Sequence, residues 1–302
     1  MLASVLLTLG LLALGGAAPA HAAHVLVDAG HGPEHPGATG ASGRPEYLYN
    51  QDLAAALARA LAALGERTTR VEGIGADIPP DQRAAGAPDA DFLVSIHHDS
   101  ILARYLEAGR QTEFAGYSIF VSQRNPHPAR SLRCARRIGE RLRAAGERPS
   151  HYHAEPVEGE NHPFVDRRLG IHRYDGLAVL RIAPMPAVLV EAGVIVNPAE
   201  EARLGEPETV ARLARAIAQG VHACLAERRA DGIRLDLERP GGRRSSGSPG
   251  AAISRKCMQW LADTYKRQYM PPFATQATHA RHRALPSNGP AEGWRSSRLG
   301  RP

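Results

Sequence analysis

The chain has 302 residues, 43% of them hydrophobic, and is therefore long enough to bury a sizeable core. Its net charge of +6 would suggest an anionic partner. However, residues 1–228 carry 23 arginines and 26 acidic residues, whereas residues 229–302 carry 14 basic and 5 acidic residues. The excess positive charge belongs to the C-terminal segment, so no nucleic-acid partner is predicted.

The first 22 residues form an apolar run that ends in small residues, and Ala20-His21-Ala22 fits the pattern of a signal-peptidase site. No Lys or Arg precedes the run, and a membrane anchor is the alternative interpretation. The run is broken by glycines and is short for a membrane span. We therefore expect a signal peptide over residues 1–22, no stable membrane span after its cleavage, and an exported protein, periplasmic or extracellular.

From residue 24 onward, predicted strands alternate with predicted helices. The predicted strands are HVLVDAG, RTTRVEG, DFLVSIH, GYSIFVS, LAVLRI and AVLVEAG. The predicted helices are EYLYNQDLAAALARALAAL, a short one near PDQRAAG, PARSLRCARRIGERLRAAG and PETVARLARAIAQGVHACLAERR. This alternation predicts an α/β fold with three layers, in which helices flank a mostly parallel central sheet. We expect residues 23–228 to form one core domain.

The chain contains three widely spaced cysteines and no CxxC pair. Cys134 and Cys224 fall inside predicted helices, where a free cysteine usually acts as a small apolar residue. We therefore expect no chemistry from the cysteines.

Several predicted strands end in groups that can bind metal or move protons. VLVDAGHG ends in His31, FLVSIHHDS contains His97 and His98, and PAVLVEAG contains Glu191, while Glu46 begins the first long helix. Ligand-binding groups gather at the carboxyl edge of such sheets. Two imidazoles and one carboxylate form a zinc site with an open position, and a further carboxylate can act as general base. This combination is typical of metal-assisted hydrolysis.

Each residue also has an ordinary structural interpretation. His31 could cap a helix, and the glycines around it could form a phosphate loop, although no P-loop lysine follows and the spacing is not GxGxxG. His97 could be structural, Glu46 could interact with the helix dipole, and Glu191 could pair with an arginine. Their coincidence at strand ends favours a joint site.

Four blocks resemble, in order and spacing, the zinc-dependent N-acetylmuramoyl-L-alanine amidases of the type 3 family. They are VLVDAGHGPEHPGATG, then Glu46 and Asn50, then ADFLVSIHHDS, and then LRIAPMPAVLVEAGVIVNP. The resemblance covers residues 24–228, which is the length of such a domain, so it is more specific than a single motif.

The resemblance implies that His31, Glu46 and His97 bind Zn²⁺ and that Glu191 is the catalytic residue. It also implies a peptidoglycan substrate, cut at the amide between N-acetylmuramic acid and L-alanine. Glu191 would take a proton from a water molecule and return it to the departing amine. The sequence leaves open the oligomeric state and the need for a regulator. Two rival functions are another zinc-dependent peptidase or amidase on a related fold, and a non-catalytic wall-binding module, which would not need the base.

The chain departs from the family pattern beside two of these residues. A small residue and then Asn commonly follow the metal-binding histidine, but here His98 and Asp99 follow it. The usual aromatic and hydroxyl residues after Glu191 are replaced in AGVIVN. Because side chains alternate along a strand, we expect His98 to point away from the face that carries His97.

Two further segments lie outside these blocks. The polar stretch 151–176 contains four histidines, and we expect a solvated loop beside the active site rather than a second metal site. Residues 229–302 are rich in Pro, Gly, Ser and Arg, and we expect them to be mostly disordered. This basic segment could hold the protein near anionic polymers, or it could have no role.

Overall fold

The structure, a computed structural model, describes residues 22–73 and 75–237, with side chains up to residue 227. The expected signal peptide and nearly all of the basic C-terminal segment lie outside the described residues, and the expectations for them remain predictions.

A seven-stranded sheet is the centre of the described part of the chain. Its strands are β1 (His24–Ala29), β2 (Arg67–Val71), β3 (Phe92–Asp99), β4 (Ser118–Val121), β5 (Phe164–Asp166), β6 (Ile171–Arg173) and β7 (Ala187–Val194). Their order in the sheet is β2-β1-β3-β7-β4-β6-β5. The strands β2, β1, β3 and β7 are parallel, whereas β4 is antiparallel to β7 and β5 is antiparallel to β6. The predicted mostly parallel sheet is confirmed.

Helices cover both faces of the sheet. They are α1 (Glu46–Ala63), α2 (Ala103–Glu107), α3 (Pro128–Ala144), α4 (Ala178–Ile182), α5 (Pro198–Leu204) and α6 (Pro207–Leu237). Side chains alternate along each strand, so Val25 and Val27 pack with α1, α3 and α6, whereas Leu26 packs on the opposite face with α4 and the 3₁₀ helix Arg83–Gly86. The predicted three-layer α/β architecture is confirmed.

The segment LAVLRI forms a helix, and the prediction of a strand there is wrong. In α4, Val179 and Leu180 are buried against the sheet, while Ile182 is exposed. A short apolar run cannot be assigned to strand or helix by periodicity alone. The segment lies over the sheet face, beside β7, and this packing explains why it forms a helix.

The segment 151–176 is more ordered than expected for a solvated loop. It contains β5 and β6, which extend the sheet beyond β4, and the side chains of His153 and His172 are buried. Phe120 of β4 contacts both rings, with centroid distances of 4.9 Å and 5.6 Å. This segment therefore forms part of the folded unit.

Cys134 of α3 and Cys224 of α6 form a disulfide bond, which corrects the expectation that they are apolar residues without chemistry. Their Cα atoms are 5.1 Å apart, and they are separated by 90 residues in sequence. The two helices approach closely at Gly220, where an added Cβ would lie 2.5 Å from the Ile138 Cα atom. Closing so long a loop stabilises a fold by about 2–4 kcal/mol.

No helix among residues 22–73 and 75–237 has both the length and the apolarity that a bilayer crossing requires.

Candidate active site

Three of the predicted site residues converge at the carboxyl edge of the sheet. Glu46 Oε2 lies 3.3 Å from His31 Nε2, and Glu46 Oε1 lies 3.1 Å from His97 Nδ1. One potential ligand atom from each residue lies within 4.8 Å of the other two, so the three could hold one metal ion. Within the described residues, no other cluster of His, Cys, Asp and Glu has this geometry.

The turn after β1 presents His31 to this cluster. His31 has a φ angle of 65°, which is uncommon for a residue with a side chain. The neighbouring Gly30 lies directly against the His97 ring, because an added Cβ would approach His97 Nε2 to 2.1 Å. A glycine is therefore needed at this position for the two imidazoles to pack edge to face, with ring centroids 4.9 Å apart.

Arg83, in the 3₁₀ helix Arg83–Gly86, fixes the turn after β1 through hydrogen bonds. Its Nη1 donates to Asp28 Oδ1 at 2.7 Å and to the Ala29 carbonyl at 2.6 Å, while Nη2 donates to the His31 carbonyl at 3.0 Å. The second oxygen of Asp28 accepts a hydrogen bond from Ser95 at 2.6 Å. These buried charges are paired and hydrogen-bonded, as buried charges must be. They fix the backbone that carries His31.

The Glu46 carboxylate is oriented by hydrogen bonds on both oxygens. Oε2 accepts from the Ala38 N–H at 2.9 Å, and Oε1 accepts from the His98 N–H at 3.2 Å and from Asn50 Nδ2 at 3.0 Å. Asn50 lies one helical turn after Glu46, and its amide also donates to the Gly30 carbonyl at 3.1 Å. The first turn of α1 is thereby joined to the turn after β1.

His98 is buried, and it is not merely a strand-end side chain that points away. Its Nδ1 donates to Asn50 Oδ1 at 2.8 Å, and its ring packs on Tyr49 of α1. These contacts with α1 place His98 on the face of β3 that carries Phe92, Val94 and Ile96, as alternation along the strand predicts. Burial lowers the pKa of His98 to about 4. At neutral pH its imidazole is therefore uncharged, and it donates its hydrogen bond to Asn50 in that state.

The three clustered side chains shift one another's pKa values. Burial alone would raise the pKa of Glu46, but the hydrogen bond and charge of His97, with His31 and the Ala38 N–H, lower it to about 2. Burial opposes charge on His97 also, yet its hydrogen bond to Glu46 and the charge of Glu191 raise the pKa to about 9. Burial lowers the pKa of His31. In this structure Glu46 and His97 therefore form a buried ion pair, and a metal ion bound there would displace the His97 proton.

Glu191 lies next to this cluster on the neighbouring strand. In the sheet it is paired with His97 of β3 on one side and with Ser118 of β4 on the other. Its Oε2 is buried without a hydrogen-bond partner in the described residues. Burial, with the nearby charge of Asp99, raises its pKa to about 8 despite the opposing charge of His97. Such a carboxyl group can both accept and release a proton near neutral pH.

A cavity of about 770 Å³ gives access to these groups. Its lining includes His31, His97 and Glu191, together with residues 77–80 and 176–179. This volume is in the range of small-molecule sites. The cavity can therefore place a substrate bond between the three clustered side chains and Glu191.

A buried imidazole joins the segment 151–176 to the site. His153 Nε2 donates to Asp99 Oδ2 at 2.7 Å, and Nδ1 donates to Glu160 Oε2 at 2.8 Å. Burial alone would lower the pKa of His153, but the two carboxylates raise it to about 10. The charged imidazole therefore ties the segment to the end of β3, two residues after His97.

This linkage predicts a pH-dependent stability. Because the pKa of His153 rises from 6.5 to about 10 on folding, its stabilisation is complete below the lower value and is lost as the pH rises through the upper one. His153→Gln should lower Tm by about 5 °C at pH 6. The difference from the wild type should shrink toward pH 10. Thermal unfolding across this range measures it, with the exposed His151→Gln as control. A difference independent of pH would contradict the charged state of His153.

Sequence patterns did not indicate Arg83, His153 or Glu160. Arg83 lies in the short helix predicted near PDQRAAG and His153 in the polar stretch 151–176, but their partners are more than 50 residues away in sequence. The sequence drew attention to Asp99 only because this residue departs from the family pattern. The spacing of Asn50 from Glu46, one helical turn, is the one local signal that places a second polar group beside the cluster.

The sequence and fold match known proteins. A family model described as N-acetylmuramoyl-L-alanine amidase matches residues 25–223. An N-acetylmuramoyl-L-alanine amidase of Mycobacterium tuberculosis is 29% identical over 189 residues, covering 61% of this chain and 70% of that protein. The amidase AmiC of Neisseria meningitidis is 29% identical over 228 residues, covering 65% of this chain and about half, 51%, of that protein.

Solved amidase structures share the fold. The N-acetylmuramyl-L-alanine amidase of Mycobacterium smegmatis has a TM-score of 0.56 and 25% identity, covering 68% of this chain and 97% of that one. The catalytic domain of an amidase from Paenibacillus polymyxa has a TM-score of 0.53 and 26% identity, covering 68% of this chain and 98% of that one.

Proposed function

Because the chain belongs to the N-acetylmuramoyl-L-alanine amidase family, we propose that it hydrolyses peptidoglycan with the help of a zinc ion. The bond cut is the amide between the lactyl group of N-acetylmuramic acid and the L-alanine of the stem peptide. The observation that carries the proposal is the clustering of His31, Glu46 and His97, whose two imidazoles line one cavity together with Glu191 and its unpartnered oxygen.

The side chains fit a zinc ion. Two imidazoles and one carboxylate are a common donor set for catalytic zinc, and their potential ligand atoms lie within 4.8 Å of one another. The low pKa of Glu46 keeps that ligand ionised. We assign His31, Glu46 and His97 as the ligands. Zinc bound there would supply Lewis-acid chemistry, which polarises the amide carbonyl and increases the acidity of a water molecule.

Glu191 carries the proton transfers. Its carboxylate accepts a proton from the attacking water, whose oxygen bonds to the carbonyl carbon. It then returns this proton to the L-alanine nitrogen as the C–N bond breaks. A pKa raised by burial suits this exchange, because the group must hold the proton between the two steps. The products are a lactyl carboxylate and a stem peptide with a free amine.

We propose that the protein acts outside the cytoplasm. The Cys134–Cys224 disulfide supports export, because disulfides persist mainly in oxidising compartments. We assign the catalytic domain to residues 23–228, since the four proposed site residues and the disulfide fall inside this range. Residues 1–22 would serve export, and residues 229–302 would not be required for hydrolysis.

Digestion of purified peptidoglycan tests this function. Mass spectrometry should find complete stem peptides with a free L-alanine amine, and a chelator should stop their release until zinc is restored. Shortened stem peptides would instead identify a zinc peptidase on a related fold. Binding to the wall without any release would identify a non-catalytic module and overturn the proposal.

A further inference from the structure

A second cavity, of about 560 Å³, lies beside β5 and shares no lining residue with the first. Three aromatic residues and three basic residues contribute to its wall: Phe114, Tyr152, Phe164, Arg110, His151 and Arg167. The cavity therefore combines flat apolar surfaces with groups that attract an anion.

Arg167 is a cation in this cavity without a carboxylate partner among the described residues. Its guanidinium lies 5.1 Å from the centre of the Phe164 ring, and its Nη2 is 3.3 Å from His151 Nδ1. Arg110, by contrast, is neutralised by Glu113 through hydrogen bonds of 2.9 Å and 2.6 Å. A guanidinium supported by an aromatic ring and free of a carboxylate is suited to a bidentate contact with a carboxylate ligand.

The acidic groups of the cavity do not compete for Arg167. Glu113 is held by Arg110, and Glu155 accepts a hydrogen bond from the Tyr105 hydroxyl at 2.8 Å. Neither carboxylate is within ion-pair distance of Arg167, so its guanidinium remains available to an incoming carboxylate.

The backbone of Arg167 is connected to that of Glu191 across the sheet, through β4 and β6. Glu191 of β7 is paired with Ser118 of β4, and the Ile119 N–H donates to the Gly170 carbonyl at 2.8 Å. The Gly170 N–H in turn donates to the Arg167 carbonyl at 3.4 Å. Two strand-to-strand steps, from β7 to β4 and from β4 to β6, and the width of the turn between β6 and β5 separate the two backbones, which at about 4.8 Å each gives about 14 Å.

This separation matches the length of a stem peptide. An extended chain advances about 3.3–3.6 Å per residue, so four residues span about 14 Å. With the L-alanine amide beside Glu191, the carboxyl terminus of a tetrapeptide stem would reach Arg167. We propose that the second cavity binds the C-terminal carboxylate of the stem peptide through Arg167. This inference rests on the proposed function, whose substrate supplies the peptide.

Kinetics with paired substrates test this site. The substrates are N-acetylmuramoyl tetrapeptides that end either in a free carboxylate or in a carboxamide. For the wild type, KM should be about tenfold lower for the carboxylate form, with similar kcat. Arg167→Gln should raise KM about tenfold for the carboxylate form and leave the carboxamide form unchanged, whereas Arg167→Lys should retain part of the preference.

Arg168→Gln is the matched control, because this neighbouring arginine is exposed, as Arg167 is, but lines neither cavity. It should change neither KM. Equal KM values for the two substrates in the wild type, or equal effects of the Arg167 and Arg168 variants, would overturn the site.

A binding measurement separates this site from the proposed function. Calorimetric titration with the free tetrapeptide needs no turnover, and Arg167→Gln should weaken its binding about tenfold while Arg168→Gln should not. If the wild type fails to cleave the muramoyl substrates, the proposed function is wrong. The titration would still test whether Arg167 binds the peptide carboxylate. Titration heats that are identical for wild type and Arg167→Gln, with zinc loaded in both, would rule it out.

Discussion

Replacing Glu191 by Gln should lower kcat by about 10²–10⁴-fold, because the amide cannot accept a proton from the attacking water. The substitution keeps the size of the side chain, and Glu191 is not one of the three proposed ligands. Bound zinc should therefore remain, and KM should change little. Steady-state kinetics on a soluble muramoyl peptide, combined with elemental analysis of the same sample, gives both readouts.

The matched control is Glu208→Gln, which removes one carboxylate at the exposed start of α6. Its kcat should equal that of the wild type. A Glu191→Gln protein with near-normal turnover would show that another group acts as base. A variant that loses both zinc and turnover would instead place Glu191 among the ligands.

Each of His31→Ala, Glu46→Ala and His97→Ala should remove bound zinc and, with it, activity. The loss should be large, because a site with only two ligands holds zinc far more weakly than one with three. Glu46→Ala should have a further effect, since Glu46 contacts both imidazoles and accepts hydrogen bonds from the backbone of two other segments. Equilibrium dialysis against buffered zinc measures affinity directly, without reference to turnover.

His35→Ala provides the control for loss of a histidine in the same loop. His35 lies four residues after His31, but its ring is directed to Asp77 at 2.5 Å and its side chain is largely exposed. This variant should retain zinc. Circular dichroism must show that all variants fold. If a folded His97→Ala protein kept wild-type zinc affinity, the assigned ligand set would be wrong.

The sequence alone determined the layered fold and which residues belong in the candidate site. Apolar runs of strand length alternate with amphipathic helices, and this pattern requires two faces of a sheet to be covered. His31, His97 and Glu191 each follow or end such a run, and parallel strands bring their carboxyl ends to one edge. The convergence therefore follows from local patterns and one topological rule, which is why it could be predicted.

Only the tertiary structure revealed how these groups are held. Arg83 reaches the turn of His31 from 52 residues away, His153 reaches Asp99 across 54, and Cys134 meets Cys224 across 90. No local periodicity encodes such pairs, because each depends on how distant segments pack. For the same reason α4 became a helix, and only the packed fold showed that the side chain of His98 is buried and bonded to Asn50. Local hydrophobic pattern fixes elements and strand ends, whereas contacts between remote side chains are set by the packed fold.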